Sequence, residues 1–262
     1  MSAIEVHRGN GPVVLGLPHT GTDIPAEVCS QLNAAGLAVA DTDWHVHDLY
    51  AGLLPDVTTV RTLVSRYVID VNRDPSGRSL YPGQNTTALC PTTDFDGQPI
   101  YKEGLEPGRN EIQRRLKVVH WPYHGALARE LQRVKDIHGF VILYDAHSIR
   151  SRIPHLFEGV LPDFNIGTDG CTTCDDTIET AVCEICKSAD GYSYIVNGRF
   201  RGGWTTRKYG NPGMGVHAIQ MELAQSTYMD EAPPWRYRPE RARLLRSHLR
   251  DILTTLSLWR PI

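Results

Sequence analysis

The chain has 262 residues, of which 41% are hydrophobic, 22% charged and 8% aromatic, a globular composition that excludes disordered, collagenous and coiled-coil chains. Its 27 basic and 30 acidic residues leave a net charge of −3, so no broad basic surface is implied and nucleic acid is not an expected partner. No apolar run approaches the roughly 18 residues of a membrane span, and the opening MSAIEVHRGNGPVV lacks the basic start, apolar core and cleavage site of a signal peptide, so a cytoplasmic location with no membrane partner is expected.

Val13 to Leu17 is a short apolar run between Gly-Pro and Pro-His, and it reads as a buried strand leading to His19. Asp41 to Leu54 reads as a helix capped by Asp41 or Thr42, with Pro55 beyond its end. Val57 to Leu63 and Tyr67 to Val71 are β-branched runs of strand length. Asn72 to Tyr101 is rich in Gly, Pro, Thr and Asn, has no clear periodicity, and is too long for a plain connector, which marks it as a functional loop. Glu106 to Asp136 is helical in character with a break expected at Trp121-Pro122.

Phe140 to Tyr144 is the clearest buried strand, running into Asp145-Ala146-His147-Ser148. Asp175 to Lys187 follows as a helix capped by Asp175 or Asp176, then Tyr192 to Val196 and Gly215 to Glu222 as strands. Pro239 to Leu256 is a helix with Leu245, Leu249, Ile252, Leu253 and Leu256 on one face. Alternating strands and helices, with no repeat or flexible linker, predict a single three-layer α/β domain over residues 1–262 with a mostly parallel or mixed sheet.

In open α/β sheets, ligands bind beyond the carboxyl ends of the strands. Here those ends carry Pro18-His19-Thr20-Gly21, Asp145-Ala146-His147-Ser148 and Gln220-Met221-Glu222, with Asp41-Thr42-Asp43-Trp44-His45 at the start of a helix. Two imidazoles and a carboxylate leave a fourth position for water, as a catalytic zinc requires, and a further carboxylate such as Glu222 can take that water's proton. No Gly-x-Ser-x-Gly elbow is present, so no nucleophilic serine is indicated.

Six ordered blocks carry a family resemblance. They are Pro18-His19-Thr20-Gly21-Thr22-Asp23-Ile24-Pro25, Ser65-Arg66-Tyr67-Val68-Ile69-Asp70-Val71-Asn72-Arg73-Asp74-Pro75, and Leu80-Tyr81-Pro82-Gly83-Gln84-Asn85-Thr86-Thr87 with Leu89-Cys90-Pro91-Thr92-Thr93. Tyr144-Asp145-Ala146-His147-Ser148, Asn197-Gly198-Arg199-Phe200-Arg201-Gly202-Gly203 and Gln220 to Met229 complete the set. Together, from about residue 12 to about residue 230, the chain resembles the N-formylglutamate amidohydrolases. The resemblance implies a phosphorylase/hydrolase-like fold related to zinc carboxypeptidases. It also implies release of formate from N-formyl-L-glutamate, as in histidine degradation, or action on another N-acyl or N-formimino acidic amino acid. Zinc carboxypeptidases place a carboxylate three residues after the first histidine; here that position is Thr22, so the simple pattern fails. The resemblance therefore points to His19, Asp43 and His147 as holders of one divalent ion, zinc first, with Asp23 as the alternative to Asp43, and to Glu222 as the base.

A dicarboxylate substrate calls for fixed cations, and arginine binds carboxylates bidentately and stays charged. Arg73, with Asn72 beside it, comes first; Arg150 and Arg201 follow, the latter next to two glycines that let backbone approach a ligand. His124 is a weaker substrate-binding candidate, able to pack or to hydrogen-bond substrate, and His217 is weaker still. Cys171-x-x-Cys174 and Cys183-x-x-Cys186 have the spacing of a structural zinc site or interaction module. Cys183 and Cys186 fall inside the expected helix from Asp175, however, so reduced thiols packed as small apolar residues are the preferred reading, with zinc and disulfide as the others.

Overall fold

The computed structural model describes residues 3–78, 83 and 85–261; Leu80, Tyr81, Pro82 and Gln84 of the long-loop block lie outside the described residues. Seven strands form one mixed sheet: β1 (Ile4–His7), β2 (Val13–Leu17), β3 (Thr58–Thr62), β4 (Val141–Ile149), β5 (Phe164–Gly167), β6 (Tyr194–Val196) and β7 (Val216–Ala224). Their order across the sheet is β1-β3-β2-β4-β7-β5-β6. The central strands β3, β2, β4 and β7 are mutually parallel, while β1 pairs antiparallel with β3 and β5 pairs antiparallel with β7. This is the mixed α/β sheet that the alternation of elements predicts.

Side-chain alternation along β4 and β7 builds two cores. Ile142, Tyr144 and Ala146 of β4 and Ile219, Met221 and Leu223 of β7 face one layer, formed by α3 (Val46–Tyr50), α6 (Asp176–Ser188) and α8 (Pro239–Leu258). The leucine face of α8 is fully buried there. Val141 and Leu143 of β4 and Ala218 of β7 face the other layer, which holds α5 (Trp121–His138). The next residues with that facing are Asp145 and His147 on β4, and Gln220 and Glu222 on β7. The hydrophobic pattern that buries the sheet thus aims four polar side chains to one side, at the carboxyl ends of the parallel strands.

Several local expectations are corrected. Asp41 to Leu54 is not one helix: α3 covers only Val46–Tyr50, and His45 before it adopts φ 60°, a left-handed conformation that no helix propagates. Residues 41–45 are therefore a turn, anchored where Asp43 N donates to His19 O at 3.1 Å. Tyr67 to Val71 is no strand either. All four of its large apolar side chains are buried, and its carbonyls are satisfied by side chains instead of a ladder. Arg115 donates to Val68 O at 2.8 Å and His124 Nε2 to Val71 O at 2.7 Å.

Helix continues through the Trp121-Pro122 position where a break was expected. After Gly108, α4 (Arg109–Arg115) passes into a π-helical turn over Leu116–His120 and α5 follows directly, so Pro122 sits where the helix changes its hydrogen-bond register. The Asp145-Ala146-His147-Ser148 block lies within β4, which extends to Ile149, instead of following it. Strands β1 and β5 and the short helices α1 (Ala26–Cys29), α2 (Ala34–Leu37) and α7 (Trp204–Tyr209) were not anticipated. Among the described residues, no helix is long and apolar enough to cross a membrane.

Candidate active site

His19 lies two residues beyond β2, Asp43 lies in the turn before α3, and His147 lies on β4. Their ligand atoms come within 4.8 Å of one another, all three residues are buried, and among the described residues this is the one such group of histidine, cysteine and acidic side chains. His19 Nδ1 and His147 Nδ1 are 3.2 Å apart. Asp43 Oδ2 is 3.2 Å from the second nitrogen and 3.6 Å from the first.

Both imidazoles are oriented from behind. His19 Nε2 meets Asp70 Oδ1 at 2.7 Å, and His147 Nε2 lies 3.3 Å from Asp145 Oδ1 and 3.2 Å from the Asn72 amide. In the tautomer that carries the proton on Nε2 of each ring, facing Asp70 and Asp145, each Nδ1 presents its lone pair to Asp43. Two lone pairs and a carboxylate oxygen converging in a buried space repel one another unless a positive charge sits among them. The group thus fits a divalent cation, and imidazole with carboxylate suits zinc and its first-row neighbours. Burial opposes charge on His147, yet Asp145 and Asp43 outweigh it and raise its pKa well above the usual histidine value. Burial also works against an ionised Asp43, but His19 and His147 hold its carboxyl below the ordinary range.

Glu222 stands opposite His147 in the β4–β7 register and is 7% exposed. Its carboxylate accepts from Gln220 Nε2 at 3.2 Å, and Gln220 Oε1 accepts from Gly203 N at 2.6 Å. Burial pushes its pKa up to about 8, against the pull of His147 and with the help of the Asp43 charge. His19, His147, Gln220 and Glu222 all border a cavity of about 210 Å³.

Among the arginines, Arg73 borders this cavity with Asn72, while Arg150 and Arg201 do not. Arg150 pairs with Asp96 at 2.8 Å, and Arg201 is exposed. The glycines after Arg201 serve packing against protein. A Cβ on Gly203 would lie 2.4 Å from Asn72 Nδ2, and one on Gly167 of β5 would lie 2.4 Å from Gly202 N. His124 also stays away from the cavity. It is clamped between Val71 O and the Tyr209 hydroxyl, 3.1 Å from Nδ1, and burial lowers its pKa to about 3. Asp23 is exposed and its backbone pairs with Val64, so it does not join the histidines.

Two residues within the quoted blocks went unassigned in the sequence reading. Arg66, 6% exposed, borders the cavity, donates from Nη2 to Asp70 Oδ2 at 2.7 Å and sits 3.6 Å from Asp43 Oδ1. Asp70 joins Arg66 to His19; burial opposes its charge, but Arg73, His19 and Arg66 hold its carboxyl well below the usual range. Their spacing, an arginine four residues before an aspartate that precedes Asn-Arg, was the available signal. The six cysteines are free thiols, with Cys174 and Cys186 buried, and Cys171, Cys174, Cys183 and Cys186 form no metal-binding group among the described residues.

The family model described as N-formylglutamate amidohydrolase matches residues 11–229. An N-formylglutamate deformylase of Pseudomonas aeruginosa is 45% identical over 254 residues, covering 96% of this chain and 95% of its own. One from Pseudomonas putida is 43% identical over 258 residues, covering 98% and 96%. A crystal structure of N-formylglutamate amidohydrolase from Ralstonia eutropha superposes with a TM-score of 0.82 at 22% identity over 98% of each chain. A gene product of Agrobacterium tumefaciens gives 0.72 at 19% identity over 98% and 96%. These two likenesses establish the fold; the family model and the Pseudomonas relatives establish kinship. The chain belongs to the N-formylglutamate amidohydrolase family.

Proposed function

We propose that the protein hydrolyses N-formyl-L-glutamate to L-glutamate and formate, using one divalent ion, zinc in first place, held by His19, Asp43 and His147. The observation that carries this reading is the convergence of those three side chains beside Glu222 on an arginine-bordered cavity, in a chain 43–45% identical to two enzymes named for that reaction. A metal ion so held supplies Lewis acidity and lowers the pKa of nearby water. The remaining chemistry belongs to the chain. Glu222 takes a proton from the attacking water and returns it to the leaving amine. Its raised pKa suits both halves of that transfer. Arg73 pairs with the substrate carboxylate next to the scissile amide, and Asn72 holds position beside it through Thr205 N, which donates to Asn72 Oδ1 at 2.8 Å. Arg66 places a buried positive charge near where negative charge develops on the formyl oxygen.

The test is formate release from N-formyl-L-glutamate before and after exhaustive chelation. Activity lost on chelation and restored by a divalent ion is expected; full activity in metal-free enzyme would overturn the metal assignment, and no release under any metal would overturn the substrate.

A further inference from the structure

We propose that Arg199 reads the side-chain carboxylate of the substrate and sets the chain length that the enzyme prefers. This rests on the reading of the site given above. The cavity has a direction. Its lining includes His147 on β4, Ile149 two residues on and on the same face, and Leu156, Phe200 and Arg199, of which Arg199 bonds to the Leu156 carbonyl. Ile149 belongs to a small apolar cluster against which Leu156 and Phe200 pack. A metal-ligating end, an apolar middle and a terminal guanidinium follow one another along this path. N-formylglutamate has the same order: a scissile formyl amide, two methylenes and a carboxylate.

Spacing supports the match. Arg73 and Arg199 hang from one segment: Arg73 Nε donates to Thr87 O at 3.1 Å, and Arg199 Nη2 donates to Asn85 O at 3.0 Å. Carbonyls two residues apart can be separated by at most roughly 7 Å. The two carboxylate carbons of glutamate, four bonds apart, span roughly 5 Å by the same covalent dimensions. Arg73 is the inner of the two cations, because its Nη1 lies 3.7 Å from Asp70, which holds His19. Arg199 is the outer one. Its Nε donates to Leu156 O at 3.2 Å, and its guanidinium lies 5.4 Å from the centre of the Phe200 ring. These two carbonyl anchors hold the fork in place. Arg78 also borders the cavity, but its side chain is 85% exposed and it lies 3.7 Å from Asp74, a geometry suited to attraction and not to fixed recognition.

The experiment compares kcat/KM on N-formyl-L-glutamate with kcat/KM on its isostere with a neutral side chain, N-formyl-L-glutamine, in the metal-loaded wild type and in Arg199→Gln. Wild type should favour the glutamate substrate by roughly 10- to 100-fold, the worth of a hydrogen-bonded charge. Arg199→Gln should lose most of that factor on the charged substrate and little on the neutral one, so that the ratio approaches unity. Arg199→Lys, which keeps the charge without the fork, should retain an intermediate ratio. The ratio is independent of the fraction of enzyme folded, so a destabilised variant still reports. Equal losses on both substrates, or an unchanged ratio, would overturn the role of Arg199. Failure of wild type to release formate from either substrate would instead overturn the underlying function.

Discussion

Glu222 is a carboxylate on a buried strand, facing His147 across the β4–β7 ladder. Glu222→Gln keeps the shape and the contact with Gln220 but cannot accept a proton. It is expected to retain metal while lowering kcat by about 10²–10⁴-fold, the usual worth of a general base. Steady-state kinetics with metal analysis on the same sample checks it. In wild type, activity should fall on the acid side as Glu222 becomes protonated, with the limb at or below pH 8, since a bound cation can only lower a pKa that burial has raised to about 8. That limb should vanish in Glu222→Gln. Behind the proposed metal-binding histidines, Asp145→Asn should weaken the hold on His147 Nε2 and cost about 10–100-fold in metal affinity, read by competition with a chromophoric chelator. Arg73→Ala should raise KM, with a loss of about 2–4 kcal/mol in kcat/KM where the carboxylate pair is desolvated.

At the scale of elements, α5 and the buried segment 67–71 depend on one another. Helix α5 supplies His124, whose Nε2–H closes the Val71 carbonyl two residues before Arg73. Burial, with the His120 charge beside it, lowers the His124 pKa from 6.5 to about 3. An unfolded chain takes up that proton near pH 6.5, whereas the folded one resists until near pH 3. The stability contributed by the neutral imidazole is therefore complete above pH 6.5 and is lost as pH falls toward 3, by about 1.4 kcal/mol per pH unit. Urea unfolding at pH 7, 6 and 5 should show wild type losing stability faster than His124→Gln by about that slope; parallel pH dependences would refute it.

Across the whole molecule, the site draws its parts from both ends of the chain: His19 after β2, Asp43 before α3, His147 on β4 and Glu222 on β7. An ion bound there ties these elements together in the folded state only. At a free metal concentration 100 times the Kd, the gain is about 2.7 kcal/mol. Chelation should accordingly lower Tm by about 5–10 °C for a chain of this size, and readdition of a divalent ion should restore it. A Tm indifferent to chelator would place the ion, if any, outside this group.

The sequence by itself determined the central strands of the sheet and the long C-terminal helix. Apolar runs at Val13–Leu17 and Phe140–Tyr144 can satisfy their backbone only inside a sheet, and the periodicity of Pro239–Leu256 presents one leucine face. The same alternation places Asp145 with His147, and Gln220 with Glu222, on one side of their strands. Ordered blocks around these residues carried the family. What the tertiary structure decided depends on contacts distant along the chain. Tyr67–Val71 has the composition of a strand but finds its hydrogen bonds in Arg115 and His124, more than 40 residues away, so burial won over pairing. Arg66, Arg73, Arg150, Arg199 and Arg201 are chemically alike in sequence; the folded chain brings Arg66, Arg73 and Arg199 to the cavity, pairs Arg150 with Asp96 and leaves Arg201 exposed. Asp43 and Asp23 were likewise both open as ligands, and the left-handed turn at His45 with the Asp43 N to His19 O bond brought Asp43 to the histidines. Local propensity selects an element only where tertiary contacts do not override it, and which of several identical charges faces a cavity is set by the loops that cross it.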